Sequence, residues 1–108
     1  LSGGAGNDRF VYNSYFESRT GIRADHITDF ATGDLIDLRT VDADLNTDGV
    51  QTFSFVGSAA FTDVGQLRVG TVGGQTALLG NVGGSLGSDF MIILDNNHAI
   101  TSADLLLV

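Results

Sequence analysis

The sequence predicts an all-β protein in which a short parallel β-roll, residues 1–40, continues into an antiparallel β-sandwich, residues 41–108, as one compact unit. Three observations predict it. A glycine-rich turn opens a fading nine-residue repeat, two alternating segments flank a glycine-containing hairpin at 66–79, and a short apolar run at 90–94 reads as a buried central strand.

The first turn sets the organisation. Gly3-Gly4-Ala5-Gly6-Asn7-Asp8-Arg9-Phe10-Val11 reads as a six-residue turn and a three-residue strand, and it fits the nonapeptide G-G-x-G-x-D-x-U-x at every specified position. Calcium is a hard cation that takes six to eight oxygen ligands, and a short turn supplies them by turning its main-chain carbonyls inward. Gly3, Gly4 and Gly6 permit this, because glycine reaches positive φ without a Cβ clash. Asp8 adds a carboxylate, and Phe10 points the other way into a core. The candidate ligands are therefore the turn residues Gly3, Gly4, Ala5 and Gly6 together with Asp8, and in-phase acids from neighbouring turns complete the cage.

Those acids recur at Glu17, Asp25 and Asp34, in steps of nine, eight and nine after Asp8. Asp25 and Asp34 are each followed two residues later by isoleucine, Ile27 and Ile36. Loops two turns apart lie on one side of a roll, so the phase pairs Asp8 with Asp25 and Glu17 with Asp34. Glu17 and Asp25 join the candidate set on this ground.

A phosphate cradle is the other use of a glycine-rich turn. Residues 3–8 lack the lysine and hydroxyl of G-x-x-x-x-G-K-[ST] and place an acid where phosphate would lie, so calcium is the better reading.

At this point the chain resembles the C-terminal RTX module of serralysin-type secreted metalloproteases. The resemblance rests on residues 3–11, then Asp25-His26-Ile27-Thr28-Asp29-Phe30, Gly33-Asp34-Leu35-Ile36-Asp37-Leu38, Gln51-Thr52-Phe53-Ser54-Phe55, Gly65-Gln66-Leu67-Arg68 and Asp104-Leu105-Leu106-Leu107-Val108, in order. It implies a non-catalytic, secreted, extracellular calcium-binding module that folds after export, with a zinc metallopeptidase as parent. The terminal acid and apolar run resemble the recognition end of type I secretion substrates, which implies the secretion machinery and the rest of the parent chain as partners. The same module is appended to mannuronan epimerases and lipases, so a polysaccharide-binding module is the alternative.

Composition narrows the classes. Thirteen acids against five bases, a net charge of −8, disfavour nucleic acid and suit a divalent cation. A polyanion-binding face would need bases and aromatics that this balance does not supply. There is no cysteine, and no apolar run approaches bilayer length, so neither disulfides nor membrane insertion is expected. The chain starts inside a repeat, at Leu1, and is expected to be part of a longer protein.

The remaining segments carry less chemistry. Residues 12–24 lose alternation and read as a loop or a single helical turn. Residues 44–49 match the first half of an EF-hand loop, but position twelve is Phe55 and no helix flanks it, so a hydrophilic linker is expected. Residues 51–56 alternate, with Phe53 and Phe55 on one face of an antiparallel strand. Residues 80–89 read as a glycine-rich connection with Asp89 isolated and no tight ion site. Thr101-Ser102-Ala103-Asp104 reads as a capping box.

No catalytic residue is expected. His26 and His98 are the only histidines, form no H-E-x-x-H, and read as solvated side chains. The serines have no plausible histidine partner, and the repeat already accounts for the acids that could form a glycosidase pair.

Overall fold

The computed structural model describes residues 4, 6–12, 24–31, 33–44, 49, 51–83, 89–95 and 98–107. The described residues are all-β, with two sheets, no α-helix and a single 3-10 turn at Ser102–Asp104. The strands are β1 (Arg9–Val11), β2 (Asp25–Ile27), β3 (Leu35–Asp37), β4 (Ser54–Phe55), β5 (Gln66–Val72), β6 (Gln75–Gly80), β7 (Phe90–Leu94) and β8 (Leu105–Leu106).

The smaller sheet has the order β1-β3-β8, with both pairings parallel. Its register aligns Phe10 with Ile36 and Ile36 with Leu105, which makes one apolar row. Side chains alternate across a strand, so Arg9 and Val11 face outward while Phe10 is buried between them. The apolar residue two places after each repeat acid is thus what anchors its strand. Parallel pairing of these short strands agrees with the sequence expectation.

The larger sheet has the order β2-β7-β6-β5-β4. β5 and β6 form the expected hairpin, tighter than the sequence indicated, because pairing runs out to Val72 and Gln75. Gly73 and Gly74 are the two turn residues, at φ +59° and +83°, and two consecutive positive φ angles are what a twist-matched two-residue hairpin turn needs. β7 lies inside this sheet, antiparallel to β6 and parallel to β2. It is apolar on both faces for that reason, as its run of five apolar residues predicts.

Residues 51–56 behave differently from expectation. Phe53 is buried and Phe55 packs on the same cluster, so the predicted face is right, but β4 pairs with β5 in parallel rather than antiparallel fashion. The loop from 56 to 65 carries the chain back to the same end of the sheet, and Ser54 and Val56 donate to the carbonyls of Gly65 and Leu67 at 2.8 Å each. Alternation reports which face is buried; it is silent on strand direction.

Both sheets draw strands from either side of residue 40. They share one apolar cluster that includes Phe10, Ile36 and Leu105 from the smaller sheet and Ile27, Leu78, Phe90 and Ile92 from the larger. Each fully buried side chain of this kind contributes about 1.5–3 kcal/mol relative to exposure. A second cluster, Ala24, Ala77, Leu79 and Ile93, sits on the far face of the larger sheet.

Candidate metal centre

The first turn joins β1 from below. Gly4 and Gly6 hold φ of +76° and +90°, so two of its three predicted glycines use the conformation for which glycine was invoked. Gly3, Ala5 and Glu17 lie outside the described residues.

A second turn stacks against it. Residues 31–34 lead into β3, and Asp34 donates its N–H to the carbonyl of Ala31 at 3.0 Å. Gly33 adopts φ +102°, and a Cβ there would lie 2.5 Å from Asn7 Oδ1, so the two turns touch. Alanine at Gly33 is therefore expected to destabilise by about 1–3 kcal/mol, since a non-glycine residue is strained in that region of φ. Asn7 is the flexible end of the contact and can swing away, so the strain should survive an added Asn7→Ala; full rescue by that second change, read in urea melts, would contradict this account.

Asp34 ties the turns together. Its side chain is buried, Oδ1 accepts the N–H of Asp8 at 2.8 Å and Oδ2 accepts that of Ala31 at 3.1 Å. Leu35 in turn donates to the carbonyl of Asp8 at 2.8 Å. Asp29 reaches the same turn from another direction, with Oδ2 accepting the N–H of Gly4 at 2.8 Å.

This arrangement corrects one expectation. The strand after Asp8 pairs with the strand after Asp34, so Asp8 neighbours Asp34 rather than Asp25. Asp25 opens β2 in the other sheet, where it aligns with Ile92. The repeat phase located the turns, but the partner was decided by which apolar faces, Phe10 and Ile36, bury together. Asp29 was not in the predicted set; its signal was proximity in sequence to the second turn, outside the repeat phase.

Asp8 itself is half-buried, and its Oδ2 is buried without a hydrogen-bond partner among the described residues. An ionised carboxylate oxygen in that position costs about 1–3 kcal/mol unless a cation or donor reaches it. No three His, Cys, Asp or Glu side chains converge on a metal position among the described residues. Calcium takes six to eight oxygens, carboxylates and main-chain carbonyls among them, and the partnerless Asp8 oxygen beside the glycine turn is a donor suited to such an ion.

A family model described as Peptidase M10 serralysin C terminal matches residues 3–107. The chain belongs to this serralysin C-terminal family. Members of the family are the non-catalytic C-terminal part of serralysin-type proteins. Comparison with curated proteins gives no match.

Other acids of this serralysin C-terminal domain take part in hydrogen bonds within the fold. Asp37, on the end of β3, is bound by Arg39 through Nε at 3.0 Å and Nη2 at 2.8 Å, with the Arg39 N–H adding a third bond at 3.1 Å. Arg9 Nε stands 3.7 Å from the same carboxylate. The Arg39 side-chain hydrogen bonds hold the Asp37 carboxyl below the usual carboxylate value of about 3.9, against an opposing push from burial. A folded-state value below the unfolded one stabilises the fold at pH above about 4 and is lost as pH falls through the folded value. Arg39→Ala is thus expected to move the acid-unfolding midpoint to higher pH. Arg39 is 43% exposed, so the shift should be small and shrink in high salt; an unchanged midpoint at low ionic strength would refute it.

Two expectations about polar residues are corrected. His98 is not a solvated turn residue: its ring packs 4.9 Å from that of Phe30, and Nε2 lies 3.3 Å from Oδ2 of buried Asp104. Asp104 also accepts the Thr101 N–H at 2.8 Å, the reciprocal bond of the expected capping box. Asp89 is not isolated, because its Oδ2 accepts the N–H groups of Val82 at 3.1 Å and Gly83 at 2.9 Å. His26 is exposed as expected, with Nδ1 2.7 Å from Asp95 Oδ1. Of the EF-hand-like segment, residues 45–48 lie outside the described residues.

Proposed function

We propose that this domain is a calcium-dependent folding module of a secreted metalloprotease, carrying no chemistry of its own. The observation that carries the reading is the Oδ2 of Asp8, buried beside the first glycine turn and without a donor among the described residues. Calcium would be held by that oxygen and by main-chain carbonyls of Gly3, Gly4, Ala5 and Gly6, with Glu17 and Asp25 serving other turns of the same repeat. The ion supplies positive charge and fixed coordination, while Asp34 and Asp29 hold the turn amides that orient the carbonyls.

Residues 1–40 then act as the end of a parallel roll, and residues 41–108 as the sandwich cap that closes the core over it. Extracellular calcium modules have dissociation constants on the order of 0.1–1 mM, so such a domain stays unfolded in the cytosol and folds outside. This matches export through a type I route, with a zinc peptidase domain elsewhere in the parent chain. No helix among the described residues is long and apolar enough to cross a membrane.

Circular dichroism in EDTA and then in added calcium tests the proposal. The expected result is a disordered spectrum that becomes β-rich as calcium rises through the millimolar range; a fully folded and identical spectrum in both conditions would overturn it.

A further inference from the structure

The two sheets differ in height, and the difference leaves an opening. β5 and β6 are seven and six residues long, whereas β1 and β3 have three each and β8 two. The smaller sheet therefore does not cover the hairpin end of the larger one. There a cleft of about 570 Å³ lies between the inner face of β4, β5 and β6 and the segment 99–102 that leads into β8. Phe55, Val69 and Ile100 form an apolar floor, and Ser58, Thr71 and Ser102 are exposed on the rim.

No described residue lining the cleft is ionisable, in a chain of net charge −8. The nearest acid in sequence, Asp104, is buried and turned toward Thr101 and His98. A charged ligand would find no counter-charge there and would lose its hydration. A purely hydrocarbon group would strip water from several hydroxyls without replacing those hydrogen bonds. Hydroxyls both donate and accept, so their natural complement is another set of hydroxyls. An aromatic ring beside two branched aliphatic side chains offers a surface for C–H groups. The volume falls in the range of small-ligand sites, about 300–1,000 Å³.

We propose that this cleft binds an uncharged hexose-type ring, either free or as the terminal unit of a neutral glycan. The ring lays its C–H face on Phe55, Val69 and Ile100 and turns its hydroxyls to Ser58, Thr71 and Ser102. The site is separate from the calcium turns and does not depend on them for its chemistry. It also differs from recognition of a polyanion, for which the cleft has no cation.

The test is an NMR amide-shift titration of this chain in saturating calcium with methyl β-glucopyranoside, cellobiose, alginate and n-butanol as separate probes. The expected result is saturable, millimolar-range shifts from one or both neutral sugars at Phe55, Val69, Thr71 and Ile100, with shifts from cellobiose alone marking a glycan end. Alginate and butanol should leave these amides unmoved. Thr71→Glu with Ser102→Glu, both at exposed positions, should abolish the sugar shifts while keeping spectral dispersion; the single Thr71→Glu serves if the pair disturbs the fold. No sugar shifts up to solubility, shifts confined to alginate or butanol, or unchanged sugar shifts in the charged variants would overturn the proposal.

Discussion

Replacing Phe90 with alanine is expected to remove about 3–5 kcal/mol of stability, a large part of the roughly 5–15 kcal/mol available to a domain. Phe90 is fully buried on β7. Its ring meets the edge of Tyr12 at 5.8 Å and stacks on Phe53 at 6.3 Å, so one truncation loosens three distant segments. β7 lies between β2 and β6, and the backbone around the new void cannot close it without breaking ladder hydrogen bonds on both sides. In calcium, the guanidinium midpoint should fall sharply with little change in slope. Met91→Ala, half-buried on the opposite face, should cost clearly less. Equal losses for the two would show that the shared core between the sheets is not where stability resides.

Asp8→Ala should change sign with calcium. Without bound calcium the substitution removes a buried carboxylate oxygen that has no donor among the described residues, so the variant's ion-free fold should be as stable as the parent's or more stable, by up to about 1–3 kcal/mol. With calcium at a hundred times its dissociation constant, the parent gains about 2.7 kcal/mol from binding and the variant forfeits most of that. The readout is the gap between urea midpoints at saturating calcium and at the lowest calcium that still folds the domain, which should collapse in Asp8→Ala. Asp34→Ala provides the contrast. It leaves the N–H groups of Asp8 and Ala31 without their acceptor and should destabilise in both conditions. An undiminished calcium gap in Asp8→Ala would remove Asp8 from the ion site.

Much of the local structure was legible because it depends on neighbours in sequence. The positive φ of Gly4, Gly6, Gly73 and Gly74 follows from clustered glycines. The burial of Phe10, Ile27 and Ile36 follows from their place two residues after an acid in the repeat. The capping contact of Asp104 follows from its spacing to Thr101. The glycine turn before Asp8 was legible, but the neighbour of Asp8 was misread because a fading nine-residue phase is compatible with either Asp25 or Asp34.

The sequence alone determined the all-β class, the turns, the hairpin and the identity of the residues that face inward, since each is set by backbone freedom or by alternation over a few positions. Only the tertiary structure decided that Asp8 meets Asp34, that β4 runs parallel to β5, that His98 lies on Phe30 and that Asp89 caps residues 82 and 83. Those outcomes depend on contacts between segments far apart in sequence. The free energy that selects among them is the burial of whole faces against one another, which no short window of residues contains.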